Sequence, residues 1–383
     1  MNALKGRALV SGGAGLIGSH LADLLIAEGF QVTILDNLEP QTHPGGDPGW
    51  LSPKARFIRG DVRNPQDWAR ALEGVGYVFH QAAFGGFTSE VSQYSDVNVC
   101  GTARLFETIQ TGNFPVKKIV VASSQAVYGE GSYECPEHGR QFPEKRPEAG
   151  LQKGIWDLGC PACAQWLRPA LTEETKPCRG ETPYALSKEF EERLALSLGW
   201  RLGIPVAALR YGVTYGPRQS VFNPYTGVVS IFSTQILNRV PPLVYEDGKQ
   251  TRDFVYVGDV ARANLAAMES PLAAGEVFNV GTGRATSIAE LARKLSKLYG
   301  AAIEPRISGE FRQGDVRHVL LDPAKLRKTG FSAEMMTSLD AGLEKFSAWI
   351  RSQGSVQDYF SKAYEEMKRS GMVGASRGLS GGG

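Results

Sequence analysis

A tyrosine and a lysine stand four residues apart in Tyr184-Ala185-Leu186-Ser187-Lys188. On a helix they share a face. There an ammonium stabilises a phenolate and turns a weak acid into a base usable near neutral pH. Ser123-Ser124-Gln125-Ala126-Val127-Tyr128-Gly129 follows an apolar run earlier in the chain and supplies a hydroxyl. A glycine-rich turn, Gly12-Gly13-Ala14-Gly15-Leu16-Ile17-Gly18, opens the sequence. A nucleotide site, a hydroxyl donor and an activated tyrosine, in that order, point to hydride chemistry on an alcohol. Tyr184 and Lys188 alone would be a common exposed helical pair; Ser124 at a strand end is what gives them a reacting oxygen to serve.

Those groups need a scaffold. Arg7 to Ser11 reads as a short buried strand, and Leu16, Ile17, Leu21, Leu24 and Leu25 follow at helical spacing up to Gly29. Further strands are expected at Gln31 to Asp36, Arg56 to Asp61, Tyr77 to Ala83, Lys118 to Ser123, Val206 to Tyr211 and Phe278 to Val280. Apolar strands alternating with helical segments imply an α/β fold, a Rossmann-type doubly wound parallel sheet covered on both faces. Residues 1–215 are expected to be the dinucleotide-binding domain, interrupted at 131–181 by an insertion rich in Pro, Gly and Cys. Residues 216–350 are expected to form a smaller C-terminal substrate-binding lobe over the carboxyl ends of the strands. The Gly- and Ser-rich stretch 371–383 is expected to be a disordered tail.

The chain has 383 residues and a net charge of +2, so it carries no electrostatic footprint for nucleic acid. No apolar stretch is long enough to span a bilayer, and Met1 runs within a few residues into a strand, leaving no room for a signal peptide. A cytoplasmic setting follows, in which the five cysteines are expected to be free or metal-bound.

The glycine turn satisfies the dinucleotide fingerprint in its expected context of strand and helix. Its glycines let a pyrophosphate approach backbone N–H groups at a helix N-terminus. Asp36 ends the second strand; a carboxylate there accepts hydrogen bonds from a ribose diol and repels a 2′-phosphate, which favours NAD over NADP. Asp61 and Val62 either meet the adenine or form an ordinary strand-end turn, and fold position leaves both open. Gln81-Ala82-Ala83 leaves room for a cofactor, whereas His80 is expected to be a packed strand residue.

With these residues in view, the chain resembles the extended short-chain dehydrogenase/reductases, and within them the NAD-dependent epimerase/dehydratase group acting on nucleotide sugars. Leu209-Arg210-Tyr211 with Tyr215-Gly216-Pro217, Arg252-Asp253-Phe254-Val255-Tyr256-Val257 and Arg312-Gln313-Gly314-Asp315 add to the resemblance, which covers nearly all of residues 5–350. It implies that Tyr184 is the general acid/base, that Lys188 holds the nicotinamide ribose and that Ser124 hydrogen-bonds the reacting oxygen. It implies NAD contacts at Gly12, Gly15, Leu16, Ile17, Gly18, Asp36, Asn37, Asp61, Val62, Gln81, Ala82, Ala83, Asn98, Ser123, Tyr211 and Val213. It implies substrate contacts at Phe84, Ser124, Gln125 and Asn223, a diphosphate clamp of Arg252 and Arg312, and Asp315 on a sugar or ribose hydroxyl. Surface salt bridging is the alternative for the two arginines.

Many dehydratases of the group place an Asp-Glu pair where this chain has Gln125 and Ala126, and decarboxylating relatives keep a Glu at the second position. Both reactions are therefore disfavoured. The cycle that remains is oxidation of the sugar C4 hydroxyl with NAD, rotation of the 4-keto sugar, and return of hydride to the opposite face. The insertion and residues 218–227 are similar to a bacterial subgroup of dTDP-L-rhamnose 4-epimerases, which implies dTDP-L-rhamnose or a related dTDP- or UDP-hexose. Val213 departs from the pattern: the family usually has a substrate-contacting Asn there.

Cys135-Pro-Glu-His138 and Cys160-Pro-Ala-Cys163 pair thiolate and imidazole donors at spacings that suit a structural tetrahedral Zn²⁺, with Cys178 as an alternative ligand. A flexible insertion with free thiols is the alternative. Two other functions stay open, an NAD(H)-dependent nucleotide-sugar oxidoreductase such as a 4-ketosugar reductase, and a catalytically silent NAD-binding regulatory relative. The family resemblance implies a homodimer.

Overall fold

The computed structural model describes residues 5–85, 90–223 and 227–376. Seven strands form the main sheet: β1 (Gly6–Ser11), β2 (Phe30–Asp36), β3 (Arg56–Arg59), β4 (Tyr77–His80), β5 (Lys118–Ser124), β6 (Val206–Tyr211) and β7 (Glu276–Val280). They are all parallel, in the order β7-β6-β5-β4-β1-β2-β3. The order reverses between β1 and β4, and a crevice opens at such a switch point. This is the doubly wound sheet that the sequence predicts; the strands from Arg56 and Tyr77 end two and three residues earlier than expected, and four others are one or two residues longer.

Alternation along the strands sends successive side chains to opposite faces. Val10, Val32 and Leu209 pack with Leu21 and Leu25 of α1 (Leu16–Ala27), while Leu9, Val78 and Val121 pack with Leu105 and Phe106 of α3 (Gly101–Gly112). Trp68 of α2 (Pro65–Ala71) is fully buried in that second layer. Each large apolar side chain so covered contributes about 1.5–3 kcal/mol. The helix α4 (Pro183–Leu202) starts sharply. Thr182 caps it by accepting from the Ala185 N–H, Pro183 suits the first turn, and Gly203 ends it with φ +68°.

The division at residue 215 is crossed twice. The helix α5 (Val257–Glu269) packs on α1, and β7 closes the main sheet beside β6. A separate cluster of Val229, Phe232, Leu291, Leu295, Leu343 and Phe346 forms the core of the smaller lobe.

The insertion is built into that lobe. Its strands Ser132–Cys135 and Arg168–Thr172 pair antiparallel, and Arg168–Thr172 runs parallel to His318–Leu321. Charge pairs, all but Asp157 buried, reinforce the join. Arg146 meets Glu130 at 3.2 Å and Glu246 at 2.8 Å, while Arg317 meets Glu246 at 2.9 Å and Asp157 at 2.8 Å. Leu151 and Trp156 pack on Phe311.

The expected tail is corrected in part. Val373–Ala375 pairs antiparallel with Glu310–Arg312, and Gly374 lets the strand lie close over Phe311, since a Cβ there would stand 2.6 Å from the ring. Residues 377–383 lie outside the described residues. Among the described residues no helix is long and apolar enough to cross a membrane.

Candidate active site

The glycine turn sits at the switch point. Gly12 has φ +67°, and a Cβ on it would stand 2.6 Å from the Ala82 Cα; one on Gly18 would stand 2.1 Å from the Gly12 carbonyl oxygen. Only glycine lets the turn, the β4 loop and α1 close together there. Gly15 at the N-cap of α1 brings no capping side chain, which leaves first-turn N–H groups for an anion. Here a cavity of about 300 Å³ is lined by Gly12, Gly15, Leu16, Ile17, Gly18, Asp36, Asn37, Asp61, Val62, Gln81, Ala82 and Ala83. All twelve are residues that the sequence singles out.

Asp36 is fixed by accepting from the Ala14 and Leu38 N–H groups, both at 2.9 Å. Asp61 accepts from Asn37 at 3.1 Å and from a fork of Arg63 at 2.7 and 2.9 Å. These Arg63 hydrogen bonds hold the Asp61 carboxyl down at about 2, against its burial. Glu39, Thr42, His43, Arg63 and Gln93 also line this cavity, and the sequence does not signal them. The stretch 37–55 folds over the turn, where the Trp50 indole donates to the Ala14 carbonyl at 3.1 Å. Its length without periodicity, placed after a strand end, was the available signal.

A second cavity of about 420 Å³ shares Leu16, Ile17, Ala83 and Phe84 with the first. Ser123, Ser124, Tyr184, Tyr211, Val213 and Asn223 line it, joined by Thr214, which the sequence does not signal, and by Gln219 and Ser220 of the stretch 218–227, two residues for which the sequence implies no contact of their own. Ser124 ends β5, its Oγ accepting from the Ala126 N–H at 3.1 Å. Tyr184 lies in the first turn of α4, its ring edge-on to Tyr94 at 6.4 Å. Lys188 is buried one turn further along and donates to Glu191 at 2.6 Å.

Several of the expected contact residues are also bonded into the frame. Asn98 bonds both the N–H and the carbonyl of Phe84, at 2.7 and 3.0 Å, and donates to Ser187 at 2.9 Å. It ties the β4 loop to α4 and lines neither cavity. Ser123 donates to Glu192 at 2.7 Å, and the Tyr211 hydroxyl bonds Gln81 and Asn264. His80 lies between Ser11 at 2.6 Å and Thr102 at 2.9 Å, and burial pushes its imidazole down to about 3, so it is the packed residue expected.

Arg252, Arg312, Asp315 and Gln125 line neither cavity. Arg252 donates to the carbonyls of Thr251, Val316 and Arg317 at 2.7–3.2 Å. Arg312 pairs with Asp315 at 2.9 Å and lies over the Tyr245 ring. Both guanidinium groups are thus occupied within the lobe. Gln125 keeps a buried Oε1 with no partner among the described residues.

The donor atoms of Cys135, His138, Cys160 and Cys163 all lie within 4.8 Å of one another. Cys135 Sγ is 3.6 Å from both His138 Nδ1 and Cys163 Sγ, close to the edge of about 3.8 Å of a tetrahedron of thiolates around zinc. Burial disfavours the Cys160 thiolate, but N–H groups of Ala162 and Cys163 bring it down to about 7. Cys178 is elsewhere: it takes a hydrogen bond from Arg210 at 3.3 Å and packs on Val127 and Tyr128.

The sequence matches the NAD dependent epimerase/dehydratase family over residues 8–148 and 161–281. It is 35% identical to the dTDP-L-rhamnose 4-epimerase of Burkholderia thailandensis, over 89% of this chain and 94% of that protein. The fold is similar to the UDP-glucose 4-epimerase of Thermotoga maritima with UDP-glucose, at TM-score 0.74 and 30% identity, covering 91% of this chain and 99% of that one. It is similar as well to the Thermus thermophilus UDP-glucose 4-epimerase in complex with NAD, at TM-score 0.70 and 31% identity, covering 90% and 99%.

Gly18→Ala drives a methyl group onto the Gly12 carbonyl. It should weaken NAD binding about tenfold or more, about 1.4 kcal/mol, by calorimetry on cofactor-stripped protein; binding unchanged within about twofold would contradict this role for the turn.

Proposed function

The chain belongs to the NAD-dependent epimerase/dehydratase family, and from that premise we propose that it is a nucleotide-sugar 4-epimerase. One observation carries the reading. Ser124 and Tyr184 face a cavity continuous with the glycine-turn cavity, while the two residues after Ser124 are Gln125 and Ala126, which cannot serve as the acid for elimination.

The residues of the first cavity fit NAD: an uncapped helix N-terminus for the pyrophosphate, Asp36 for a ribose diol, and small Ala82 and Ala83 beside the reacting end. When bound, NAD supplies reversible acceptance of a hydride from the sugar C4. Ser124 holds the C4 oxygen. Tyr184 takes its proton as the carbonyl forms and returns one after the ketone has turned over in the cavity. Lys188 keeps positive charge beneath the tyrosine. We assign the NAD and substrate contacts to the cavity-lining residues, Arg252 and Arg312 to the diphosphate and Asp315 to a sugar or ribose hydroxyl, once they exchange their present partners.

The similarity to the Burkholderia enzyme supports dTDP-L-rhamnose as substrate, and the apolar Val213 wall suits a deoxy sugar. Incubation with dTDP-, UDP-, GDP- and CDP-sugars without added cofactor should give C4 inversion by NMR for one of them, and Tyr184→Phe should slow it at least about 100-fold. Stoichiometric NADH formation without inversion would make the protein an oxidoreductase, and no reaction at all a silent relative.

The insertion cluster fits a structural Zn²⁺, held by Cys135, His138, Cys160 and Cys163. Replacing Cys160 and Cys163 with Ser should lower both zinc content and melting temperature; unchanged zinc and unchanged melting would remove the metal from the account.

Leu186 and Phe190 stand exposed four residues apart on α4, an apolar strip suited to a second copy of the chain. Sedimentation should give twice 41.5 kDa, and Phe190→Glu should shift it toward the monomer; a monomeric parent protein would refute the homodimer. Five cysteines, free or metal-bound and none in a disulfide among the described residues, fit a reducing cytoplasmic setting.

A further inference from the structure

Two consecutive carboxylates on α4 have different surroundings. Glu192 is fully engaged, accepting from Ser123 at 2.7 Å and from Arg210 at 2.6 and 2.9 Å. Glu191 has a single hydrogen-bond donor, the Lys188 ammonium at 2.6 Å, and its Oε1 has no partner among the described residues. Lys188 and Glu191 are 1% and 0% exposed. A buried carboxyl with one oxygen unpaired is a poor structural element, since an apolar side chain of similar volume would cost less there.

The contact lies on the helix that carries Tyr184. Lys188 lies one helical turn after Tyr184, and Glu191 almost one turn after Lys188, so the three side chains follow one face of α4. The charged and titratable groups around the carboxyl are Lys188 and Glu192 on its own helix, His80 of β4, which feels Lys188, and Tyr211 of β6, which feels both Glu191 and Tyr184. His80 is neutral, so Lys188 is the cation that answers Glu191.

We propose that Glu191 is a positioning residue for the epimerisation: it holds the Lys188 ammonium beneath Tyr184 and offsets part of the charge that the phenolate would otherwise feel. Burial pushes the Glu191 carboxyl up to about 7, Lys188 opposing, which brings its proton equilibrium into the range where the enzyme would work. As pH rises through that range the carboxyl ionises and Lys188 supports the phenolate less. Glu191 would thus broaden the acid limb of the pH profile.

The inference rests on the acid–base reading of Tyr184, and the test separates the two. Tyrosinate absorbance is titrated in the NAD-loaded protein, and the part lost in Tyr184→Phe is assigned to Tyr184. In Glu191→Gln that part should appear about one pH unit lower, and the acid limb of kcat/KM should move with it while KM changes less than about twofold. If the Gln variant fails to fold, Glu191→Asp, which draws the charge back by one methylene, should shift the signal in the same direction by less. A midpoint identical to the parent's in the folded variant overturns the assignment. No Tyr184-dependent transition in the parent overturns the acid–base reading, and the assignment with it.

Discussion

The candidate site depends on one buried ion pair, Arg210 with Glu192. Arg210 on β6 forks the Glu192 carboxylate of α4 at 2.6 and 2.9 Å, and its remaining amino group meets the Tyr128 hydroxyl at 2.8 Å. Glu192 accepts from Ser123 on β5, and Tyr128 donates to Asn279 on β7. Three strand ends and the helix that carries Tyr184 are joined through these few atoms. Removing one member of such a pair leaves the other charged and buried, at about 3–5 kcal/mol. The neighbour of Ser123 is Ser124, and Glu192 follows Lys188 on the same helix, so the network sets the distance between hydroxyl and tyrosine without touching either.

Much of the frame was legible because its signals are local. The glycine turn, the apolar strands and the Tyr184-to-Lys188 spacing each reflect a few consecutive residues under one steric or periodic rule. The present partners of Asn98 and Arg252 were not legible. Their residue types say what they can bond to, but the partners that occupy them come from distant segments: Ser187 for Asn98, Val316 and Arg317 for Arg252. Arg63 differs, since its partner Asp61 is only two residues away; that pairing places it on the nucleotide cavity wall.

The insertion was legible in its chemistry and illegible in its fold. Cysteine spacing carries the metal-donor pattern directly, and the four donor atoms do converge. Its strands are only three to five residues long, one nearly all buried and two largely exposed, so no alternation develops over them. Their pairing is fixed by His318–Leu321 and by Arg146 and Arg317, all matters of tertiary contact.

That joint has a consequence for how the chain matures. Leu171 pairs with Leu320, and Glu130 accepts from the N–H of Arg317, 187 residues later. At a synthesis rate of about 5–20 residues per second, the insertion leaves the ribosome roughly ten seconds or more before its partner strand exists. Arg146 and Glu130 spend that interval in water, without the lobe that buries them. Cys135, His138, Cys160 and Cys163 need no such delay, because all four lie within one short stretch of chain. The cluster can therefore close while the rest of the protein is still being made, and the insertion meets its late strand as an already shaped edge.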